Sequence, residues 1–427
     1  DARDYHFYAD PHFFEPLLEH FDGPGKPPQP WLFGEFCDAD TMRTYPETGG
    51  PWWLTDPLPP GAPPELGWTR EHARRLAAAG VADGGAALAA LGRRQEMAVR
   101  KRILEETRKR HASGGYVVSG WRDTPITTSG IVDDALRPKF DQAEWRRFNA
   151  DRVLLLDRDR RRAWVDGGDR PLVTDPGSVW SDATAGFRLL AANGCAALRD
   201  ASLEVTVDGR AVLAAQVEAP AGETSELAVF DLPARPGLRA AREARVEARL
   251  RADGVDLVNG WTLIVVPNRA ATLRALDQAR GRIVDGLTPA VLRRARAGER
   301  IVVWLRDPAA PGQVGVPFWR EAIHVLGRHP LWRRVPQPGY ADMRFFSLAS
   351  DRALDPDWWR AALPRSAEIT PIWRRFDARR MTWSDYAFEA RVGQGALVVT
   401  TLRFAGGLGA QPSGFENAPL GAWMLRA

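Results

Sequence analysis

The residue whose type and setting most invite a chemical reading is Glu35. It sits in the run Trp31-Leu32-Phe33-Gly34-Glu35-Phe36, otherwise apolar, and a carboxylate beside such a run is costly to bury without a purpose. At a strand end it could serve as a nucleophile or as a general base. A second polar cluster, Trp121-Arg122-Asp123, follows the apolar run that begins at Tyr116. There the Trp121 ring could floor a sugar ring, with Arg122 beside it and Asp123 accepting hydrogen bonds from hydroxyls. His6 and Tyr8, at the end of Tyr5-His6-Phe7-Tyr8, fit the same rim, and Trp52 and Trp53 offer two more rings from a long loop. Each has a plain alternative. Glu35 could face solvent or pair with Arg43, Trp121 could be core, Trp52 and Trp53 could anchor their loop, and Arg122 and Asp123 could form an ion pair.

These residues need elements to hold them. Residues 5–8, 31–36 and 116–121 are short apolar segments of the kind buried on both faces of a parallel sheet. A helix is predicted at 11–20, and a longer one at 87–110, stopped by Gly114-Gly115. In the second helix Glu96/Arg100, Glu105/Lys109 and Glu106/Arg110 are acid-before-base pairs at i,i+4, which predicts an exposed charged face. Leu88, Leu91, Ala98, Val99 and Ile103 supply its buried stripe. Between the helices lies a Pro-, Gly- and Trp-rich loop at 38–67, a length usual for functional or disordered segments. Strand–helix alternation of this kind means a parallel sheet or barrel.

From about residue 160 the period changes to two. Leu203, Val205 and Val207 alternate with polar residues, Asp208-Gly209 reads as a hairpin turn, and 227–230 and 244–250 continue the pattern. An antiparallel sandwich of immunoglobulin size is expected over 159–268. Residues 269–427 return to α/β, with Thr288-Pro289 opening a helix and apolar strands at 301–305 and 396–402.

Composition excludes several classes. A net charge of +4, from 58 Lys+Arg against 54 Asp+Glu, is spread without a basic stripe, so nucleic acid is not an expected partner. Cys37 and Cys195 are the only cysteines, too few for a disulfide framework or a CxxC zinc site. No apolar stretch of about 18 residues is present, so no membrane-spanning helix is expected. No ligand cluster points to a metal, and no cofactor is expected. The opening Asp-Ala-Arg-Asp-Tyr-His is neither an initiator Met nor a signal peptide, so the chain is expected to begin in mid-fold, and the compartment stays open.

Taken together, Tyr5 to Tyr8, Phe33-Gly34-Glu35-Phe36, and Gly115 to Trp121 followed by Arg122-Asp123-Thr124-Pro125 resemble the last three barrel strands of family-two glycoside hydrolases, the β-galactosidases, β-glucuronidases and β-mannosidases. The resemblance implies that 1–158 is the C-terminal part of a (β/α)8 TIM barrel. It implies a retaining double displacement with Glu35 as nucleophile, on an oligo- or polysaccharide or other glycoside. It also implies an acid/base glutamate in an Asn-Glu pair on an earlier strand. Residues 1–150 contain no such pair, so the missing barrel half is expected from upstream sequence or another chain, and this chain alone is expected to be inactive. Val258-Asn259-Gly260-Trp261 resembles a motif near the end of the family's sandwiches. Residues 269–427 resemble a flavodoxin-like, class-I glutamine-amidotransferase-like α/β domain, chiefly at Phe318-Trp319-Arg320-Glu321-Ala322 and Arg328-His329-Pro330-Leu331. Amidotransferase chemistry needs a Cys nucleophile, and none follows Cys195, so His324 and His329 are expected to be structural. The competing reading is a non-catalytic carbohydrate-binding or assembly module. A homo-oligomer built through the last two domains is possible, but an oligomerisation protein alone leaves Glu35 and Asp123 unexplained.

Overall fold

The computed structural model of the protein describes residues 2–426 apart from 9, 44–56, 111–112, 126, 160–161, 166–167, 172–173, 253, 317–321 and 410. Trp52, Trp53 and the run 318–321 therefore lie outside the described residues.

Strands β1 (Arg3–Phe7), β2 (Trp31–Phe36) and β3 (Ser113–Val118) form a three-stranded parallel sheet in the order 1-2-3. Helix Pro11–Asp22 joins the first pair, and the long helix Ala86–Arg108 lies between the second and third strands in sequence. Phe14, Leu18 and Phe21 of the first helix and Ile103 and Leu104 of the second share one core with Trp31, Phe33 and Phe36. Phe33 and Phe36 stack at 5.0 Å, and Tyr5 lies 4.8 Å from Phe21. Burying rings of this size stabilises the sheet by about 2–3 kcal/mol each. The opposite face carries Asp4, His6, Glu35 and Val117, all exposed. This sheet is thus packed on one face only among the described residues.

The long helix departs from its sequence reading. Its i,i+4 pairs were expected on an exposed face, yet Glu96, Arg100, Glu105, Glu106 and Lys109 are all buried. The Glu96–Arg100 pair is wholly buried, at 2.8 Å. The physical reason is tertiary. Gln95 accepts from the His324 amide (2.9 Å) and donates to the Ala322 carbonyl (2.5 Å), docking the helix on a strand more than 200 residues away. At its other end Asn259 and Trp261 donate to Glu105 at 2.8 and 3.0 Å.

The sandwich has a five-stranded sheet, in the order Arg210–Ala219, Leu198–Val207, Arg242–Ala252, Val255–Val266, Ser178–Trp180. Facing it are Glu223–Leu232, Ala185–Asn193 and Arg152–Arg158. Arg152–Arg158, grouped with the first segment in the sequence reading, is thus a strand of this sandwich, paired antiparallel with Ala185–Asn193. Leu203, Val205 and Val207 face inward as their period requires. Asp208 and Gly209 both take positive φ (51° and 76°), the backbone a two-residue hairpin needs.

The last segment is a mixed eight-stranded sheet. Ile283–Val284, Arg300–Trp304 and Gly395–Thr400 run parallel, whereas Thr382–Val392, Glu368–Asp377, Ala322–Leu326, Arg352–Leu354 and Gln313–Gly315 pair antiparallel. His324 is buried here, stacked 5.6 Å from Tyr386, and His329 accepts from the Leu331 amide at 3.2 Å. Both cysteines are free thiols. No helix among the described residues is long and apolar enough to cross a membrane.

Candidate active site

Glu35 reaches the open face of the parallel sheet through an irregularity in β2. Tyr5 pairs with Phe33 but His6 pairs with Glu35, so Gly34 is an extra residue on one strand. Strict alternation would send Glu35 to the same side as Trp31 and Phe33. The bulge puts it opposite His6 instead and returns Phe36 to the packed side. A side chain at position 34 would meet Asp4, whose Oδ1 lies 2.2 Å from the added Cβ, so the exposed Asp4 carboxylate would have to swing aside.

Around Glu35 the first strand contributes alternate residues. Tyr8 donates its hydroxyl hydrogen to Glu35 Oε2, and His6 Nδ1 lies 3.6 Å from that same oxygen. His6 Nε2 is 3.2 Å from Asp4 Oδ2, so one imidazole bridges two carboxylates. The Glu35 side chain is 48% exposed, open to an incoming molecule yet oriented by a phenol. Arg43 is committed to Asp134 at 2.5 Å and to the Thr124 carbonyl, so the alternative pairing with Glu35 is not formed. His6, Tyr8 and Glu35 are therefore brought together as the sequence suggested. Trp121 follows β3 at 69% exposure, a bare indole rather than a core residue, and Arg122 is exposed beside it.

Asp123 is turned inward. Expected to accept from sugar hydroxyls, it is 5% exposed, and its Oδ1 accepts from the Gly130 amide (2.8 Å) and the Lys139 ammonium (3.0 Å). Nor does it pair with Arg122. A carboxylate after an apolar run reads alike whether it faces a cleft or closes a loop, and here it closes the loop 123–130.

Behind that loop is a buried charge network that the sequence reading missed. Lys139 Nζ lies 3.4 Å from Glu96 Oε2 and donates to the Thr128 carbonyl at 2.6 Å. Arg100 donates to Glu96 and to the Ser129 carbonyl. Asp40 accepts from the Thr128 amide (2.9 Å) and pairs with Arg379 (2.8 Å), a residue of the mixed sheet's hairpin. Burial pushes the Glu96 carboxyl up to about 7, outweighing the downward pull of Lys139 and Arg100. Burial likewise raises Asp123 despite Lys139. The Cys37 thiol is pushed up to about 12 by burial, which makes it a poor nucleophile. The spacing of Glu96 and Arg100 was a signal for this pair; nothing local announced Lys139. Among the described residues no group of three or more His, Cys, Asp or Glu is placed to hold a metal ion.

No protein-family model matches the sequence, and no curated protein matches it. Among solved structures the chain is similar to β-glucuronidase 3 of Bacteroides uniformis, with 12% identity, a TM-score of 0.24, and 63% of this chain matched to 30% of that one. It is similar to an endo-β-1,4-mannanase from Thermotoga petrophila, with 11% identity, a TM-score of 0.21, and 63% of this chain matched to 48% of the other. A CARDB domain from Pyrococcus furiosus matches 28% of this chain over 94% of its own length, at 13% identity and a TM-score of 0.19. At such scores these likenesses carry no argument about activity.

Proposed function

We propose that this chain carries the nucleophile half of a retaining β-glycosidase. The observation that carries the reading is an exposed carboxylate, Glu35, delivered by a bulge to the open face of a parallel sheet and held there by the Tyr8 hydroxyl. In this reading the sheet is the closing part of a (β/α)8 barrel, whose catalytic groups stand at the C-terminal strand ends. A Glu35 oxygen forms a bond to the anomeric carbon while the glycosidic C–O bond breaks, and the departing oxygen takes a proton from a general acid. Water then releases the sugar with the same acid, now ionised, acting as base. That acid, about 5 Å from Glu35 in a retaining enzyme, belongs to barrel strands supplied by upstream sequence or another chain. His6, Tyr8, Trp121 and Arg122 line the sugar site, with Trp52 and Trp53 as further contacts, and 269–427 is an amidotransferase-like module without amidotransferase chemistry.

An activated substrate tests the nucleophile by itself. A 2,4-dinitrophenyl 2-deoxy-2-fluoro-β-glycoside needs no acid to lose its leaving group, and the fluorine slows release of the covalent intermediate. The expected result is a mass increase of one fluorosugar on the peptide containing Glu35, absent in Glu35→Gln. Label that stays in Glu35→Gln, or appears elsewhere, would remove Glu35 from the role. The bare Trp121 indole favours the second reading, a carbohydrate-binding module; saturable binding of glycans with no labelling at Glu35 would select it.

A further inference from the structure

A second site, remote in sequence from Glu35 and independent of the glycosidase reading, lies where three segments meet. Arg239 on the loop between two sandwich strands, Arg333 and Arg334 at the end of the turn Pro330–Arg333, and Arg426 in the last turn of helix Pro419–Arg426 line an open cleft of about 370 Å³ with Ala240 and Trp423. All four arginines are exposed, and among the described residues no acidic side chain lines the cleft. Among the described residues Arg239, Arg333 and Arg426 form no ion pair, whereas Arg249, for example, pairs with Asp256.

The cleft is also built. Trp423 is almost fully buried, and its indole N–H donates to the Arg334 carbonyl at 3.1 Å, tying the C-terminal helix to the turn. Its ring lies 4.8 Å from the Arg426 guanidinium, which it orients by a cation–π contact. The helix-end position and this stacking account for Arg426, since cations are favoured in a last turn. They do not account for Arg239 and Arg333, brought to the same cleft from elsewhere in the chain against mutual repulsion. Guanidinium forks match phosphate and sulfate oxygens in pairs, and the volume lies within the range of small-molecule sites.

We propose that this cleft binds a small multivalent oxyanion, a phosphate- or sulfate-bearing molecule. Isothermal titration of the whole protein with inorganic pyrophosphate and with a sulfated disaccharide, at low salt, tests it. Saturable one-to-one binding is expected, weakened about tenfold or more by Arg239→Gln with Arg333→Gln, which removes two charge-assisted contacts. Both residues are exposed, so the variant should keep the parent circular dichroism spectrum. Binding of both probes supports the shared oxyanion chemistry. Binding of the disaccharide alone, lost in the double variant, identifies a sulfate ester on a sugar, and binding of pyrophosphate alone, lost likewise, identifies a phosphate. Glu35→Gln should leave all of these unchanged. Absence of saturable binding by either probe, or equal affinity in the double variant, overturns the proposal.

Discussion

Glu96 offers a measurement whose sign and size follow from its surroundings. Its side chain is wholly buried beside Arg100 and Lys139, and burial raises its pKa from 4.5 to about 7. An acid whose folded pKa lies above its unfolded value holds its proton more tightly in the native state. Its contribution to stability is therefore greatest below pH 4.5, declines as pH rises toward about 7, and is level above. At about 1.4 kcal/mol per pH unit, the decline amounts to about 3 kcal/mol. Glu96→Gln keeps the shape and cannot ionise, so it abolishes this component of the slope. Urea unfolding of both proteins, followed by tryptophan fluorescence at pH values on either side of that window, gives the needed free energies. Groups remote from Glu96 titrate equally in both proteins and cancel in the difference. The wild type should lose about 3 kcal/mol relative to the variant across the window. Parallel pH profiles would refute the reasoning, because they would mean that Arg100 and Lys139 offset the whole desolvation of the carboxylate.

Three other perturbations have expected outcomes. Tyr8→Phe removes a charge-assisted hydrogen bond to the proposed nucleophile, and should slow labelling by the fluorinated glycoside by roughly tenfold to a hundredfold, the kinetic value of about 1.5–3 kcal/mol; an unchanged labelling rate would detach Tyr8 from the chemistry. Asn259→Ala strips partners from Glu105 and the Leu154 carbonyl in a buried interface, and should cost about 3 kcal/mol by urea denaturation. Gly130→Ala places a methyl 2.2 Å from the Asp123 amide nitrogen and 2.5 Å from the Val132 carbonyl oxygen, backbone atoms that cannot step aside. It should destabilise the loop by about 3 kcal/mol and open 121–132 to limited proteolysis, with unaltered cleavage counting against the contact.

The strands holding Glu35 were legible because their apolar runs are local, and so was the rim shared by His6 and Tyr8. The bulge was not legible. Gly34 interrupts the apolar run, but only pairing with β1 shows the extra residue that turns Glu35 to the open face. The long helix teaches a similar lesson. Its i,i+4 spacing was read as pairing on a solvated face, and the Glu96–Arg100 pairing is there while the exposure is not. At Glu105 and Gln95 burial was decided by Asn259, Trp261 and Ala322, residues more than 150 positions away, and at Glu96 by Lys139. Asp123 failed in the same manner, since its true partners Gly130 and Lys139 are defined by the fold of the loop.

The burial of the long helix also bears on how this chain could be divided. One element is a wall of the parallel sheet, a seat for the sandwich and a prop for the mixed sheet. A protein assembled from modules invites cutting between them. Here a cut near residue 150 would leave Glu105 without its Asn259 and Trp261 partners on one fragment and Asn259 stranded on the other. The three parts are therefore joined through one buried helix and are not separable at their boundaries in the sequence.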